Sequence, residues 1–302
     1  MENKKYFVVS DIHSYLQELK TWLSRAGFRK SDKNHILIIC GDLFDRGYES
    51  LELYQYLKTI PKKRLVLIKG NHETLLEELL CKSWPDSHDF SNGTVRTCCS
   101  FADIDEKLLN KYYWFEQYMQ YKDDWSIVQE KVVESLQETW NTIVKNVKES
   151  EFYKWFKAAD WKDYYELNNL ILVHSFIPVK CDNPIAIYRS ATDFMEPMPD
   201  WRTKATEVDF DDARWGCPYK QFNAGLFDHE IANNKTLVCG HWRTKDAHQH
   251  FGTRGGRDGC DIYYSKHLIM LDASTPSSFK VNVLVVDGND LFDQYGNKLN
   301  QE

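Results

Sequence analysis

The chain has 302 residues, of which 42% are hydrophobic and 27% charged, enough for a soluble body with a sizeable core built as one large domain or two small ones. A formal net charge of −7 argues against a general nucleic-acid binder, which needs a basic face for phosphate. No apolar run is long enough to span a bilayer, and the polar start "MENKK" does not read as a secretory leader.

The eight cysteines are scattered with no CxxC pair, so reduced thiols and a cytoplasmic location are expected.

Seven short apolar runs predict strands at 6–10, 36–40, 65–69, 170–174, 236–240, 267–271 and 281–286. They are continuous rather than alternating, which suits sheets covered on both faces. Helix-like stretches, "YLQELKTWLSRAG" and "ESLELYQYLKTI", separate the first three. That order predicts an α/β layered fold. Between residues 73 and 170 the pattern changes. Trp125, Val128, Val132, Leu136, Trp140, Ile143 and Val147 recur at steps of three and four, the stripe of an amphipathic helix. Tyr112, Tyr113, Trp114, Phe115 and Tyr118 precede it, and Phe152, Trp155, Phe156 and Trp161 follow. Residues 73–170 are therefore expected to form a mostly helical insertion within a single domain of 1–302. It would pack on the α/β body and could roof a site. Residues 181–220 read as long ordered loops.

The polar clusters share one kind of position. "DIH" (Asp11, His13) ends the first strand, "GDLFDRG" the second and "KGNHE" (Asn71, His72, Glu73) the third; "VHS" (His174) and "CGHWR" (His241) end the next two. Ligands of α/β sheets bind at the carboxyl ends of strands. Asp11 and His13, two apart on extended chain, are expected to point to one side. Imidazole, carboxylate and amide oxygen without thiolate suit manganese, iron or zinc better than calcium. Six such groups suit two ions, and a carboxylate can bridge them; Asp42 is the central candidate.

In this order the motifs resemble the metallo-dependent, calcineurin-like phosphatases. GDxxDRG with GNHE resembles the phosphoprotein phosphatase branch, which includes bacterial and phage serine/threonine phosphatases and diadenosine tetraphosphate hydrolases. The resemblance implies a four-layer αββα sandwich of two mixed β-sheets flanked by helices. It implies that Asp11 and His13 bind a first metal, that Asp42 bridges, and that Asn71, His174 and His241 bind a second. It makes His72 the general acid, oriented by Asp45, and Arg46 a ligand of substrate phosphate. Two cations can clamp phosphate oxygens and generate a hydroxide nucleophile at neutral pH, and the arginine fork matches phosphate geometry. A second phosphate-binding arginine is expected before the last metal histidine. Arg214 in "DDARWGCP" is the candidate, with Arg189 and Arg202 as rivals; a surface arginine paired with Asp211 or Asp212 is an equal alternative. Many relatives outside the branch carry GHxH where this chain has "GHWR", so Arg243 leaves the first metal with three protein ligands, or adds a phosphate contact.

The expected function is metal-dependent hydrolysis of phosphate monoesters, either protein phosphoserine and phosphothreonine or small phosphate esters. Manganese is the first choice of ion, with iron or zinc as alternatives. A second reading keeps the site but takes a dinucleoside polyphosphate or a nucleic-acid end as substrate, with an aromatic of the insertion stacking a base. A third, from another class, is a non-catalytic binding module on the same fold. His248 and His250 are expected in a polar loop, and His35, His88, His229 and His267 as structural histidines. "GTRGGRDG" (252–259) lacks the lysine of a phosphate loop and reads as a flexible turn. Asp272 is expected to support the site or the structure.

Overall fold

The structure, a computed structural model, describes residues 4–111 and 125–299. Thirteen strands are found among them, and all seven predicted runs are strands. Sheet 1 contains β1 (Lys5–Val9), β2 (His35–Cys40), β3 (Leu65–Ile68) and β4 (Trp161–Lys162), with β12 (Leu284–Asp287) and β13 (Asp290–Phe292) beyond β1. Sheet 2 contains β5 (Tyr164–Leu167), β6 (Leu170–Val173), β9 (Thr236–Cys239), β10 (Tyr263–Tyr264) and β11 (Leu268–Met270), in the order β10-β11-β9-β6-β5. β7 (Val179–Lys180) and β8 (Glu196–Pro197) form a separate ribbon. Both sheets are mixed. β1 to β4 run parallel and β12 antiparallel to β1; β6, β9 and β11 run parallel and β5 antiparallel to β6.

The continuous apolar strands divide their side chains by parity. Val8, Ile36, Ile38, Cys40 and Ile68 of sheet 1 meet Leu170, Leu172, Val238 and Ile269 of sheet 2 in a core between the sheets. The alternate residues face outward. Phe7, Val9, Leu37 and Ile39 pack on helices α1 (Leu16–Arg25), α2 (Ser50–Lys58), α3 (Asn71–Leu79) and α5 (Thr94–Ala102), the last preceded by the short α4 (Ser87–Asn92). Ile171, Val173, Leu237 and Met270 pack on the other side, against the 176–251 region. The result is four layers, helix–sheet–sheet–helix, as the resemblance implies.

The helix Trp125–Glu149 buries Leu136, Trp140, Ile143 and Val147, the last three in the outer core of sheet 1, and over these four residues the stripe packs as the periodicity predicts. Phe152 of the next helix (Glu151–Ala158) stacks on Phe101 of α5 with ring centroids 3.5 Å apart. Tyr112, Tyr113, Trp114, Phe115 and Tyr118 lie outside the described residues. The helices end at Ala158, and β4 and β5 follow within the 73–170 stretch, adding one strand to each sheet.

Candidate active site

β1, β2 and β3 are parallel neighbours, as are β6 and β9, so their five carboxyl ends open at one edge of the sandwich. The loops that leave them are unusual. Asp11, His13, Ser14, Asp42, Asp45, Arg46 and His241 all have positive φ, between 50° and 73°. A side chain held there costs about 1–3 kcal/mol and persists only where its surroundings impose it, characteristically at functional sites. The extended chain expected across Asp11–His13 is therefore replaced by a left-handed turn. Both residues are still buried, facing different partners.

Asp42 is at the centre. Its Oδ1 lies 3.5 Å from His174 Nε2, and its Oδ2 lies 3.7 Å from His13 Nε2 and 3.9 Å from His72 Nε2. Two groups of three side chains share it: His13, Asp42 and His72, and Asp42, His174 and His241, with donor atoms within 4.8 Å of one another in each group. Burial opposes its charge, yet the four histidines hold the Asp42 carboxyl well below the usual carboxylate range.

The ring tautomers follow from the outer contacts. His174 Nδ1 donates to the Cys40 carbonyl at 2.9 Å, and burial keeps the ring below the ordinary histidine value, so it is neutral. Its Nε2 lone pair then faces Asn71 Oδ1 at 2.8 Å, His241 Nδ1 at 3.2 Å and Asp42. His13 Nδ1 likewise donates to the Phe44 carbonyl at 3.1 Å and turns Nε2 to Asp42. Acceptors that converge on acceptors in a buried space call for cations. A carbonyl that fixes the far nitrogen of a ligating histidine is the usual support of a metal site. The donor set therefore fits divalent ions. Asp11 lies at the side of this cluster, where both its carboxylate oxygens accept the His241 amide, at 2.9 and 3.2 Å.

Beside the centre, His72 Nδ1 donates to Asp45 Oδ2 at 2.7 Å, and Arg46 Nη2 donates to His72 Nε2 at 3.3 Å. Burial lowers the His72 value, but the charges of Asp42 and Asp45 outweigh it and the net shift is upward. Asp45 is itself held by α5. Thr94 Oγ1 donates to Oδ2 and Thr97 Oγ1 to Oδ1, each at 2.7 Å, and the Asp45 amide returns a bond to Thr97 Oγ1 at 3.0 Å.

Arg214 is buried, with its guanidinium on Asp211 and Asp163. Arg202 is tied to Glu166 and Glu230, and Arg189 is exposed. Arg243 turns outward to Asp246, with bonds of 2.8 and 3.1 Å. Asp272 is buried with its carboxyl pushed up to about 6, first by burial, and it accepts the Ser274 amide at 2.6 Å.

Sequence reasoning missed three features. Glu73, buried, accepts the amides of Asp42, Leu43 and Gly70 at 2.9, 2.9 and 2.8 Å, tying the β2 and β3 loops together; its place directly after His72 was the available signal. Thr94 and Thr97 sit in a helix whose pattern shows only packing. Trp215 places its ring 5.9 Å from that of His241, and Tyr188, 54% exposed, places its ring 5.2 Å from that of Trp215; the only signal for Trp215 was that it flanks Arg214, and nothing in the loop sequence marks Tyr188.

The comparisons agree with this geometry. A calcineurin-like phosphoesterase family model matches residues 4–210. The chain is 34% identical over 117 residues to a symmetrical bis(5'-nucleosyl)-tetraphosphatase of Buchnera aphidicola, covering 33% of this chain and 40% of that protein. It is 39% identical over 110 residues to the serine/threonine-protein phosphatase SIT4 of Candida albicans, covering 32% and 33%. The matched part thus spans less than half the length of these relatives. In fold it is similar to the cold-active protein-tyrosine phosphatase of a psychrophilic Shewanella species, with a TM-score of 0.52 at 16% identity, covering 99% of this chain and 81% of that one. With the strand-end motifs, the layered sheets and a family match over more than half its length, the chain belongs to the calcineurin-like phosphoesterase family.

Proposed function

We propose that the protein hydrolyses phosphate monoesters, on phosphoserine or phosphothreonine in proteins or on small esters, with two divalent ions held around Asp42. The observation that carries this reading is the convergence of the His174 Nε2 lone pair, the Asn71 amide oxygen and the Asp42 carboxylate, acceptors facing acceptors in a buried space. Asp11, His13 and Asp42 would hold one ion and Asn71, His174, His241 and Asp42 the other. Manganese suits the donors best, with iron or zinc as alternatives. When bound, such ions neutralise phosphate charge and activate water.

The remaining steps fall to the side chains. Arg46 now donates to His72 Nε2. A phosphate dianion offers that guanidinium a stronger partner, which frees Nε2 to carry the proton for the leaving alkoxide. Asp45 keeps Nδ1 occupied and supports the charged ring. Arg214, committed to Asp163 and Asp211, would serve phosphate only after exchanging those partners. The reading treats 1–302 as one domain with 73–170 as an insertion. It is supported by β12 and β13 completing the sheet that β1 begins. A cytoplasmic setting is supported by eight free cysteines, and no described helix is long and apolar enough to cross a membrane.

Turnover of p-nitrophenyl phosphate with manganese, abolished by EDTA, tests the proposal; a manganese-loaded protein with no turnover contradicts it. The Trp215 and Tyr188 rings beside His241 favour a second reading, in which an aromatic base of a dinucleoside polyphosphate stacks there. Comparing diadenosine tetraphosphate with a phosphopeptide separates the two.

A further inference from the structure

Arg46, the residue that the proposed reaction gives to phosphate, stands on a backbone it cannot sustain alone. Its φ is +58°, left-handed geometry that a residue with a Cβ keeps only where its surroundings impose it. Those surroundings lie outside the GDxxDRG motif, at the junction of α4 and α5. The Arg46 amide donates to the Asn92 carbonyl at 3.1 Å. The Arg46 carbonyl accepts from Arg96 Nη1 at 2.7 Å. Gly93, itself at φ +82°, lies so close that a Cβ there would overlap the Arg46 amide nitrogen. Both polar groups of the Arg46 backbone are thus bonded to residues 92–96. From this fixed backbone the side chain reaches the metal centre, where Nη2 meets His72 Nε2 at 3.3 Å.

Arg96 is held in turn. Its Nε donates to Glu106 Oε2 at 2.9 Å, and its guanidinium lies over the Tyr48 ring, 4.2 Å from the centroid. Tyr48 is 76% exposed, so this ring offers stacking on Arg96 rather than core packing. A charged, planar donor pinned on two sides makes a stronger and better-aimed bond to a carbonyl than a neutral group would. The same helix holds the preceding residue, since Thr94 and Thr97 donate to the Asp45 carboxylate. One helix therefore sets the partner of His72 and the phosphate ligand together.

We propose that Arg96 is a positioning residue for Arg46. By bonding the Arg46 carbonyl, with Glu106 and Tyr48 keeping it in place, it holds the Arg46 guanidinium where a phosphate at the metal centre can be clamped. The inference rests on the reading of Arg46 as the phosphate ligand. It needs no turnover to be seen, because binding of the phosphate anion reveals it.

The test measures the affinity of inorganic phosphate for the full-length, manganese-loaded protein by calorimetry. Arg96→Met keeps an apolar stem on Tyr48 but removes the donor. It should weaken phosphate about tenfold, the effect of disturbing a hydrogen bond to a charged group. Arg96→Lys restores a charged donor for the carbonyl and should recover most of the loss. Glu106→Gln leaves Arg96 in place but loosens it, and should weaken phosphate by less than Arg96→Met does. In an Arg46→Ala background Arg96→Met should change nothing further, because residues acting through one contact are not additive. Manganese content should match the native protein in each Arg96 and Glu106 variant. A purely structural role would lower the melting temperature without this dependence on Arg46. The inference is overturned if the native protein binds no phosphate at about 10 mM, far above the Kd of a specific site. It is equally overturned if Arg96→Met binds phosphate as the native protein does, or if its loss is undiminished when Arg46 is already alanine. Turnover keeps the two readings apart. A protein that binds phosphate in this Arg96-dependent way yet hydrolyses no p-nitrophenyl phosphate contradicts the phosphatase and supports the positioning role.

Discussion

His174 donates one ring hydrogen to the Cys40 carbonyl, and that bond decides what its other nitrogen can do. With the tautomer set, Nε2 has only a lone pair to offer Asn71, His241 and Asp42. The same logic holds at His72, where Asp45 takes Nδ1 and leaves Nε2 for substrate. His72→Ala should lower kcat for p-nitrophenyl phosphate by about 100- to 10,000-fold, the worth of a general acid, while metal content holds. Because the His72 value is raised, the protonated donor persists above the ordinary histidine range, and activity should fall as pH rises through that elevated value. Asp45→Asn removes one of the anions that raises it, so the alkaline limb of the pH–kcat profile should move to lower pH. An unmoved limb would assign it to another group. Thr97→Val should reduce kcat by about tenfold with little change in KM, as losing an outer partner of a working side chain does. Every metal and acid candidate could be read from its motif, because each ends a strand. The threonines could not, since their role exists only where α5 crosses Asp45.

The elements that carry these residues are short strands followed by strained turns. Gly41 shows why the turn after β2 needs its glycine. Its φ is +81°, and a Cβ there would run into the His174 ring. Gly41→Ala should therefore lower metal affinity rather than stability alone, measured as the manganese concentration for half-maximal turnover; an unchanged value would separate the turn from the site. The buried strands were legible because continuous β-branched runs have few other uses. β4, β5, β7, β8, β10 and β13 escaped because they are two to four residues long and lie at edges or in a ribbon, where one-sided burial leaves little apolar signature. The Asp11–His13 turn escaped for another reason: positive φ at Asp11 and His13 is imposed by the packed loops around them, not by their own preference. On the outer face, Trp140 is fully buried in the helix-side core. Trp140→Ala should cost about 3–5 kcal/mol of stability, read by denaturant unfolding, without changing the metal stoichiometry of the folded protein.

At the scale of the whole molecule, the sandwich does one thing for function. Its middle core clamps two sheets so that five strand ends from distant parts of the chain open on the same Asp42. Residues 11 to 73 supply one side, and residues 174 and 241 come from the second sheet. The layer order was implied by the motifs. What the helical segment covers was not, because that depends on packing geometry rather than periodicity. The central claim is that two divalent ions share Asp42, and counting metal in the protein tests it most directly. After loading with manganese and removing the excess, the native protein should hold close to two ions per chain and Asp42→Asn no more than about one, the result of losing a shared carboxylate ligand. A native protein that retains no ion, or an Asp42→Asn variant that retains as many as the native chain, would contradict the account.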